Sequence, residues 1–331
     1  MKRVVFAGDR LFMKFTDFRY FHDRLSSLGA KVIRQEDLSE AELTDAIRTA
    51  DVLAGIAYPV DRTLIQSLES CVLIQTLSVG FDSVDVGAAS DRGIPVCNTP
   101  TYCTDDVATH AMTLLLGIAR KFQLAVPRTR AAKWGYEFAR PIHTVCGRRL
   151  GIIGLGRVGR AVVSKAKGFG LEVAAYDPYL DDDVFGAFDV ERCYELSELL
   201  GESDFVTLHA PLTEETHHII DEAAIRSMKP GAMLINTARG GLVDTDALTA
   251  ALESGALAGA GIDVLENEPP PANAAILGCD TALITPHIAW YSEESHKRNQ
   301  VLAMDEVERV LSGHRPRHIV NPSVLWKGGT A

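Results

Sequence analysis

The sequence predicts an α/β protein with two parallel-sheet domains. Its 331 residues are enough for about two domains. Short runs typical of β-strands alternate with helical stretches from the start of the chain, which is the pattern of a parallel sheet covered by helices. One apolar run leads directly into a glycine-rich turn and then into apolar residues at helical spacing. A composition of 47% hydrophobic and 23% charged residues indicates a globular protein with a large core.

The first predicted domain has βαβ organisation. One of its helical stretches is Ser39–Thr49, in which Ser39 is placed to cap the helix and Glu42 to complete a capping box. Beyond this domain, a longer helical segment from Asp105 to about Gln123 is predicted to lead the chain into the second one. The candidate strands are Val4–Ala7, Lys31–Arg34, Val52–Ile56, Leu73–Leu77 and Pro95–Asn98.

The glycine-rich turn of the second domain follows the apolar run Leu150–Ile153. Its glycines, Gly154, Gly156 and Gly159, have the G-x-G-x-x-G spacing of a dinucleotide-binding turn. In such a turn the first glycine permits the tight bend, the second lets the backbone approach a pyrophosphate, and the third lets the helix pack close to the strand. The N-terminus of the following helix then offers free N–H groups to the phosphates.

A carboxylate follows the turn at the spacing that a nucleotide site needs. The next predicted strand, Leu171–Tyr176, is followed directly by Asp177, which lies 18 residues after Gly159. An acidic residue at about that distance binds a ribose 2′-hydroxyl. The order strand, turn, helix, strand, acid therefore predicts an NAD site, and the alternative interpretation is an ordinary tight turn.

Four more strands and a last helix complete the second half of the chain. Asp244 is placed to cap a helix that ends near Gly255. A final helix is predicted over residues 292–311, followed by an irregular tail over residues 314–331. The strands are Phe205–His209, Met233–Asn236, Gly259–Asp263 and Ala282–Ile284.

These elements predict a substrate-binding domain from residues 1–100 plus 289–331 and an NAD-binding Rossmann domain from residues 101–288. Both are expected to be Rossmann-like or flavodoxin-like parallel-sheet folds. Ligands bind such sheets at the carboxyl ends of the strands, so the active site is expected in the cleft between the two domains.

Charge and cysteine content exclude several classes of function. A net charge of −11 disfavours nucleic acid and anionic membranes as partners. No apolar run reaches the roughly 18 residues of a membrane-spanning helix. The six cysteines form no Cys-x-x-Cys pair, as is typical of a reducing cytoplasm.

No metal site is expected from the histidines. His314 and His318 are separated by Pro316, which prevents them from sharing a helix face, and the pair His217–His218 is better explained as part of a loop or helix start.

Three residues beyond predicted strands are candidates for chemistry: Arg239, Glu268 and His287. Each has a plain alternative, respectively a solvated loop arginine, a surface acid before a proline, and a structural histidine. Together they form a set. A carboxylate beside an imidazole favours the charged ring and keeps a proton available for donation, while a guanidinium binds a carboxylate through two parallel hydrogen bonds. With a nicotinamide to exchange hydride, such a set would reduce a 2-oxo acid.

From about Leu73 to Trp326 the chain resembles the D-isomer-specific 2-hydroxyacid dehydrogenases. The resemblance is carried by the glycine turn, Tyr176-Asp177-Pro178-Tyr179, His209-Ala210-Pro211-Leu212, Asn236-Thr237-Ala238-Arg239-Gly240, Glu268-Pro269 and Thr285-Pro286-His287. It implies that His287 is the catalytic acid or base, Glu268 its partner and Arg239 the substrate-binding arginine, with backbone N–H groups near Val79 and Gly80 on the substrate carboxylate. It places cofactor contacts at Ser78, Thr109, Arg157, Val158, Asp177, Ala210, Thr216, Thr237, Ala238 and Asp263.

Within that family, three segments resemble the C-terminal binding proteins, which are dehydrogenase-like transcriptional corepressors. The segments are Leu77–Asp82, Asp177–Leu180 and His287–Glu294. The interpretation favoured here is an NAD-dependent enzyme acting on small 2-oxo or 2-hydroxy acids. One alternative is an NAD-sensing interaction protein with little catalysis, and another is an oxidoreductase of the same scaffold that acts on an oxyanion such as phosphite.

Two further expectations concern substrate and assembly. Trp290 lies three residues past His287, so if the chain is helical there, its indole could form a wall of the pocket for the substrate side chain. The alternative is a core or interface tryptophan. The helical segment Val107–Phe122 carries more apolar surface than one internal face needs, which predicts a homodimer.

Overall fold

The computed structural model describes residues 1–326, and it contains two compact units. One unit comprises Met1–Cys103 together with the chain from Ser292 onward, and the other comprises Thr104–Tyr291. The first unit is therefore built from two separate stretches of sequence, whereas the second is continuous. The predicted tail enters the first unit, and its residues 327–331 lie outside the described chain.

The sheet of the first unit has five parallel strands in the order β2-β1-β3-β4-β5, which is the flavodoxin-like order. Ser39 caps its third helix, and Ser39 and Glu42 form the predicted capping box. Its strands are β1 (Lys2–Gly8), β2 (Ala30–Arg34), β3 (Val52–Ile56), β4 (Leu73–Thr76) and β5 (Val96–Cys97). Its helices before residue 104 are α1 (Arg10–Phe15), α2 (Phe18–Ser26), α3 (Glu40–Arg48), α4 (Arg62–Ser67) and α5 (Val86–Asp91).

The sheet of the second unit has seven parallel strands in the order β12-β11-β10-β9-β6-β7-β8. Its strands are β6 (Arg149–Ile153), β7 (Glu172–Tyr176), β8 (Glu191–Arg192), β9 (Phe205–Leu208), β10 (Met233–Asn236), β11 (Gly259–Ile262) and β12 (Ala282–Ile284). Its helices are α6 (Thr104–Ala119), α7 (Phe122–Arg130), α8 (Arg157–Gly168), α9 (Asp182–Ala187), α10 (Leu196–Glu202), α11 (Glu222–Ser227) and α12 (Thr245–Ser254).

The remaining helix, α13 (Glu293–Leu311), belongs to the first unit and is capped by Ser292. Short 3₁₀ helices occur at Gln35–Asp37, Glu137–Ala139, Gly240–Leu242 and Ala275–Gly278. Both sheets are entirely parallel, which confirms the predicted fold class. In the described part of the chain, no helix combines the length and the apolar character needed to cross a bilayer.

The strand order of the second unit determines where its ligands can bind. Strand β6 pairs with β7 on one side and with β9 on the other, so the chain leaves β6 in one direction and later returns to its other edge. This reversal opens a crevice beyond the carboxyl ends of these strands, where parallel α/β sheets bind their ligands. Successive side chains of the strands pack into different hydrophobic cores on the two faces of the sheet. Leu234 belongs to one core and Ile235 to the other.

The helix predicted over residues 105–123 is two helices. Helix α6 ends at Ala119, Lys121 has a left-handed backbone with φ +54°, and α7 begins at Phe122. The apolar side chains of α6 pack mainly against α8 and the sheet of their own unit. The apolar surface of α6 is thus covered internally, and of the large apolar side chains in the segment Val107–Phe122, on which the expectation of a dimer was based, Phe122 stays exposed.

Candidate active site

The glycine turn has the geometry that its spacing predicts. Gly154 has φ +90°, and a Cβ there would lie 2.7 Å from the backbone nitrogen of Ala210. A Cβ at Gly159 would overlap the carbonyl oxygen of Gly154. A Cβ at Gly156 would meet no described atom within 4 Å, so the protein itself does not require a glycine there. The space beside Gly156 fits a group that approaches the backbone closely, as a pyrophosphate does.

Asp177 lies directly after β7 and is oriented by the turn beside it. One carboxylate oxygen accepts a hydrogen bond from the backbone N–H of Leu155 at 2.9 Å, and the other accepts one from Tyr179 at 3.1 Å. Since each carboxylate oxygen can accept more than one hydrogen bond, the side chain retains capacity for ribose hydroxyls. The structure therefore holds this carboxylate beside the glycine turn.

The other expected cofactor contacts in this unit lie mostly beyond strand ends. Arg157 and Val158 form the first turn of α8, whereas Thr109 is exposed on α6. The hydroxyl of Thr237 is buried and has no hydrogen-bond partner among the described residues, which fits a polar group supplied by a bound cofactor. The residues that follow β9, β10 and β11 are Ala210, Thr216, Thr237, Ala238 and Asp263.

Three expected contacts belong to the first unit, on the loop after β4. The hydroxyl of Ser78 donates to the carbonyl oxygen of Gly80 at 2.5 Å, and the side-chain amide of Asn98 donates to the carbonyl oxygen of Val79 at 2.7 Å. These bonds fix the loop, and neither of them uses the backbone N–H groups of Val79 and Gly80. Their role in substrate binding stays a prediction.

His287 and Glu268 form a direct pair. Nδ1 of His287 lies 2.6 Å from Oε2 of Glu268, and the other carboxylate oxygen accepts the backbone N–H of Leu265 at 2.8 Å. Partial burial alone would raise the pKa of Glu268. The hydrogen bond and charge of His287, the Leu265 N–H and the charge of Arg239 outweigh burial and lower the pKa of Glu268 below its ordinary value. The carboxylate is thus ionised and faces the imidazole at neutral pH.

Arg239 lies on the loop after β10, close to the loop that carries Glu268. Asn236 shapes this loop, since its side chain donates to the carbonyl oxygen of Arg239 at 2.8 Å and accepts the N–H of Ala238 at 3.0 Å. A Cβ at Gly240 would overlap the backbone of Leu265, so glycine at this position lets the two loops touch. The structure therefore brings Arg239, Glu268 and His287 into one region at the carboxyl edge of the sheet.

A second histidine at this edge, His209, has a different character. It follows β9, and its Nε2 lies 3.0 Å from the hydroxyl of Thr207. Although the residue keeps part of its surface exposed, burial of the ring lowers the pKa of His209 to about 3. His209 is therefore neutral near pH 7 and unsuited to proton donation there, whereas His287 has an anionic partner.

Asp263 has contacts that sequence reasoning missed. It was expected to contact the cofactor, but its buried carboxylate binds the loop that carries His287. One oxygen accepts hydrogen bonds from the hydroxyl of Thr285 at 2.6 Å and from the N–H of Ile288 at 3.0 Å, and the other accepts the N–H of Ala289 at 2.9 Å. Only the folded chain reveals this role, because the donors lie more than twenty residues away in sequence.

The helix after His287, on which the placement of Trp290 was conditional, is not formed. The segment after His287 forms a turn, in which the N–H of Tyr291 donates to the carbonyl oxygen of Ile288, and helix α13 begins at Glu293. Trp290 is partly buried, and its ring meets that of Tyr291 edge to face at 5.4 Å. Helical spacing therefore does not relate Trp290 to His287, and a role in the substrate pocket stays a prediction.

The histidine pair His217–His218 gains an acidic neighbour in the fold. Nε2 of His218 lies 2.6 Å from Oε1 of Glu266, and one ligand atom from each of His217, His218 and Glu266 lies within 4.8 Å of the others. The other oxygen of Glu266 accepts the backbone N–H of Thr245 at 2.9 Å. We interpret this cluster as a hydrogen bond that joins two loops, since His218 and Glu266 already contact each other directly. The expectation that the chain holds no metal stays a prediction.

Comparison with known proteins identifies the family. Residues 112–289 match the family described as D-isomer specific 2-hydroxyacid dehydrogenase, NAD binding domain. The chain belongs to this family. The match covers more than half of the chain and contains the glycine turn, Asp177, Arg239, Glu268 and His287.

Three relatives illustrate the range of the family. The chain is 38% identical over 285 residues to D-3-phosphoglycerate dehydrogenase from Methanocaldococcus jannaschii, covering 86% of this chain but 54% of that protein. It is 37% identical over 291 residues to glyoxylate reductase from Korarchaeum cryptofilum, covering 87% of each. The structure of D-lactate dehydrogenase from Aquifex aeolicus, complexed with NAD and lactic acid, has a TM-score of 0.83 at 30% identity, covering 94% of this chain and 96% of that one. The chain thus spans about half the length of the first relative.

Family membership makes the chain an NAD-dependent oxidoreductase of the 2-hydroxyacid dehydrogenase class. It confirms the family, the enzyme class and the cofactor predicted from the sequence. The alternative of a corepressor-like NAD sensor gains no support, since these three relatives are named as dehydrogenases or a reductase. The resemblance to the C-terminal binding proteins is not confirmed.

Proposed function

We propose that this chain interconverts a small 2-oxo acid and the corresponding D-2-hydroxy acid, with His287 as the acid or base. The observation that supports this most is the 2.6 Å contact between Nδ1 of His287 and the carboxylate of Glu268. It leaves Nε2 of His287 as the ring nitrogen that gives a proton to the substrate oxygen in reduction and takes it back in oxidation. NAD, when bound, supplies or accepts the hydride.

The other residues orient the substrate. Arg239 is proposed to bind the substrate carboxylate through two parallel hydrogen bonds, which its planar guanidinium suits. From the resemblance, we also propose that backbone N–H groups near Val79 and Gly80 bind the same carboxylate. Fixing the carboxylate at two points would hold the carbonyl oxygen near His287, and orientation of this kind lowers the barrier to reaction.

The proposed cofactor is NAD in preference to NADP. Asp177 would accept a hydrogen bond from a ribose 2′-hydroxyl but repel a 2′-phosphate, and the next residues, Pro178 and Tyr179, offer no arginine to bind one. The Asp177→Ala variant should therefore narrow the preference for NADH over NADPH. Equal kcat/KM for the two cofactors in the unmutated protein would contradict the assignment.

The proposed substrates carry an unbranched apolar or thioether side chain. This choice rests on the resemblance of the segment His287–Glu294 to the C-terminal binding proteins and on Trp290 within it. The indole of Trp290 makes favourable contacts with aliphatic and thioether groups. The test follows NADH absorbance with a panel of 2-oxo acids, including glyoxylate, pyruvate and a methylthio-substituted acid. Higher kcat/KM on the longer acids supports the proposal. Trp290→Ala should then cost those acids about 1–3 kcal/mol more than glyoxylate, and an equal loss on all acids would make Trp290 structural.

We also propose that the chain forms a homodimer. Large apolar side chains are exposed in the segment after α6, including Phe122 at 60%, Trp134 at 92% and Tyr136 at 71% of their surface. An isologous contact with a second copy would cover them. Light scattering at micromolar concentration should give twice the 35.9 kDa of one chain, and a double variant, Trp134→Ser with Tyr136→Ser, should shift the mass toward the monomer. A monomeric mass for the unmutated chain would overturn the proposal.

A further inference from the structure

A chain of side-chain hydrogen bonds connects helix α6 to the loop that carries His287. On α6, Nε2 of His110 lies 2.9 Å from the hydroxyl of Thr285 and 3.5 Å from a carboxylate oxygen of Asp263. The side chain of Asp263 is 1% exposed and that of His110 is 20% exposed. These groups therefore interact inside the unit, where water competes little for their hydrogen bonds.

The direction of the hydrogen bonds follows from the number of protons. A hydroxyl has one proton to donate, and Thr285 lies 2.6 Å from Oδ1 of Asp263, an oxygen that can only accept when ionised. The hydroxyl of Thr285 thus offers a lone pair to His110. The ring of His110 must then carry its proton on Nε2 and act as the donor, an assignment made from the network.

The carboxylate at the end of this chain determines the shape of the loop. Asp263 accepts the backbone N–H groups of Ile288 and Ala289, and its backbone carbonyl accepts the N–H of His287 at 2.8 Å. His287 itself has φ +54°, a left-handed conformation that costs a residue with a side chain about 1–3 kcal/mol. Such a conformation persists when its surroundings fix it, and here the carboxylate of Asp263 fixes both residues that follow His287.

We propose that His110 is a positioning residue for His287. Through Thr285, its Nε2–H holds the carboxylate of Asp263 in the orientation that binds the loop, and the loop directs the ring of His287. His110 touches neither the substrate nor the reacting atoms. The proposal rests on the proposed function, in which His287 exchanges the proton, and it extends that function to a residue on a helix distant in sequence.

A pair of substitutions separates the hydrogen bond from the bulk of the ring. His110→Leu removes the donor and keeps an apolar side chain, while His110→Gln keeps an N–H donor at about the distance of Nε2 from the backbone. His110→Leu should lower kcat by about 10- to 100-fold, as expected for a misplaced catalytic group, with little change in the KM for the 2-oxo acid. His110→Gln should restore most of the activity. His143→Leu, at an exposed histidine of the same unit, serves as the control.

Amide hydrogen exchange gives a measurement that does not depend on activity. In His110→Leu the N–H groups of Ile288 and Ala289 should exchange faster, by roughly tenfold, because their acceptor is less firmly held. The N–H of Leu155, which also donates to a carboxylate but at the glycine turn, should be unchanged. Thr285→Val removes the middle of the chain of hydrogen bonds at nearly constant volume, and it should reproduce both effects if His110→Leu does not fold.

The outcomes test the positioning role of His110 separately from the proposed dehydrogenase function. Unchanged exchange at Ile288 and Ala289 in folded His110→Leu or Thr285→Val overturns it, as does a kcat within twofold of the unmutated protein. Equal losses in His110→Leu and His110→Gln also overturn it, since the ring and not its N–H would then matter. If the unmutated protein reduces no 2-oxo acid, the proposed function fails, and faster exchange in the variants still shows that His110 holds the loop.

Discussion

The glycine turn and the His287 loop lie at the same edge of one sheet but are held by different means. At the turn, Gly154 has a positive φ, and glycine adopts this conformation without the steric cost of a side chain. In the loop, a similar backbone is adopted by His287, which has a side chain. The buried carboxylate of Asp263 and its hydrogen bonds to Thr285, Ile288 and Ala289 hold that conformation.

The difference shows that the proposed cofactor-binding turn and the proposed catalytic loop are held by separate parts of the fold. The shape of the turn is encoded within a few residues, so substitutions there should act through local steric overlap. The shape of the His287 loop depends on Asp263, directly after β11, and in our proposal also on His110 of α6, so substitutions far away in sequence should affect it. The following experiments test this contrast, beginning with the largest expected effect.

Removal of the imidazole should have the largest effect on catalysis. His287→Ala is expected to lower kcat on the preferred 2-oxo acid by about 10²–10⁴-fold, the range typical for loss of a general acid. NADH binding, followed by fluorescence titration, should be retained, because the glycine turn is independent of this ring. The matched control is His217→Ala, an exposed histidine of the same unit. A kcat within tenfold of the unmutated protein would remove His287 from the acid role.

Removal of the charge on Glu268 should have a smaller effect on catalysis. In Glu268→Gln the carboxylate that Nδ1 of His287 contacts at 2.6 Å becomes a neutral amide, so the ring is held less firmly and kcat should fall by roughly tenfold. Steady-state assays with the preferred 2-oxo acid measure this loss. An unchanged kcat would show that Glu268 does not position the ring.

Two glycine substitutions should separate stability from cofactor binding within the turn. Gly159→Ala forces a Cβ into the carbonyl oxygen of Gly154, and the free energy of unfolding should fall by about 1–3 kcal/mol. Gly156→Ala meets no described atom, so stability should be preserved while NADH binding weakens. Urea unfolding and fluorescence titration measure the two effects. If Gly156→Ala binds NADH as tightly as the unmutated protein, the cofactor does not approach that backbone closely.

The smallest effect concerns acid stability and His209. Burial lowers the pKa of His209 from 6.5 to about 3 in the folded chain, so the unfolded chain binds the proton more tightly. His209 should therefore contribute fully to stability above about pH 6.5, and this contribution should be lost as pH falls toward 3. His209→Gln removes the titrating ring and should flatten the decrease in unfolding free energy between about pH 7.5 and about pH 5. Parallel pH profiles for the two proteins would contradict this.

Much of the fold could be predicted from the sequence because its signals are local. The strands are recognisable as short apolar runs, the capping box of Ser39 and Glu42 is formed as predicted, and the helix capped by Asp244 ends at Gly255. Two features of the fold have no local signal in the sequence. Arg120 and Lys121 are ordinary residues for a helix interior, yet the chain breaks there. The two-residue strand β8 is too short to produce a pattern.

The sequence by itself determined the fold class, the glycine turn and the candidates for the reacting groups. Each depends on residue type and spacing within one element or on motifs in order along the chain. Only the tertiary structure decided how the groups are held: the contact between His287 and Glu268, the approach of the Arg239 loop to Leu265, and the network of His110, Thr285 and Asp263. These are contacts between side chains or loops from different strands and helices, and their distances are set by the packing of the sheet and not by separation along the chain.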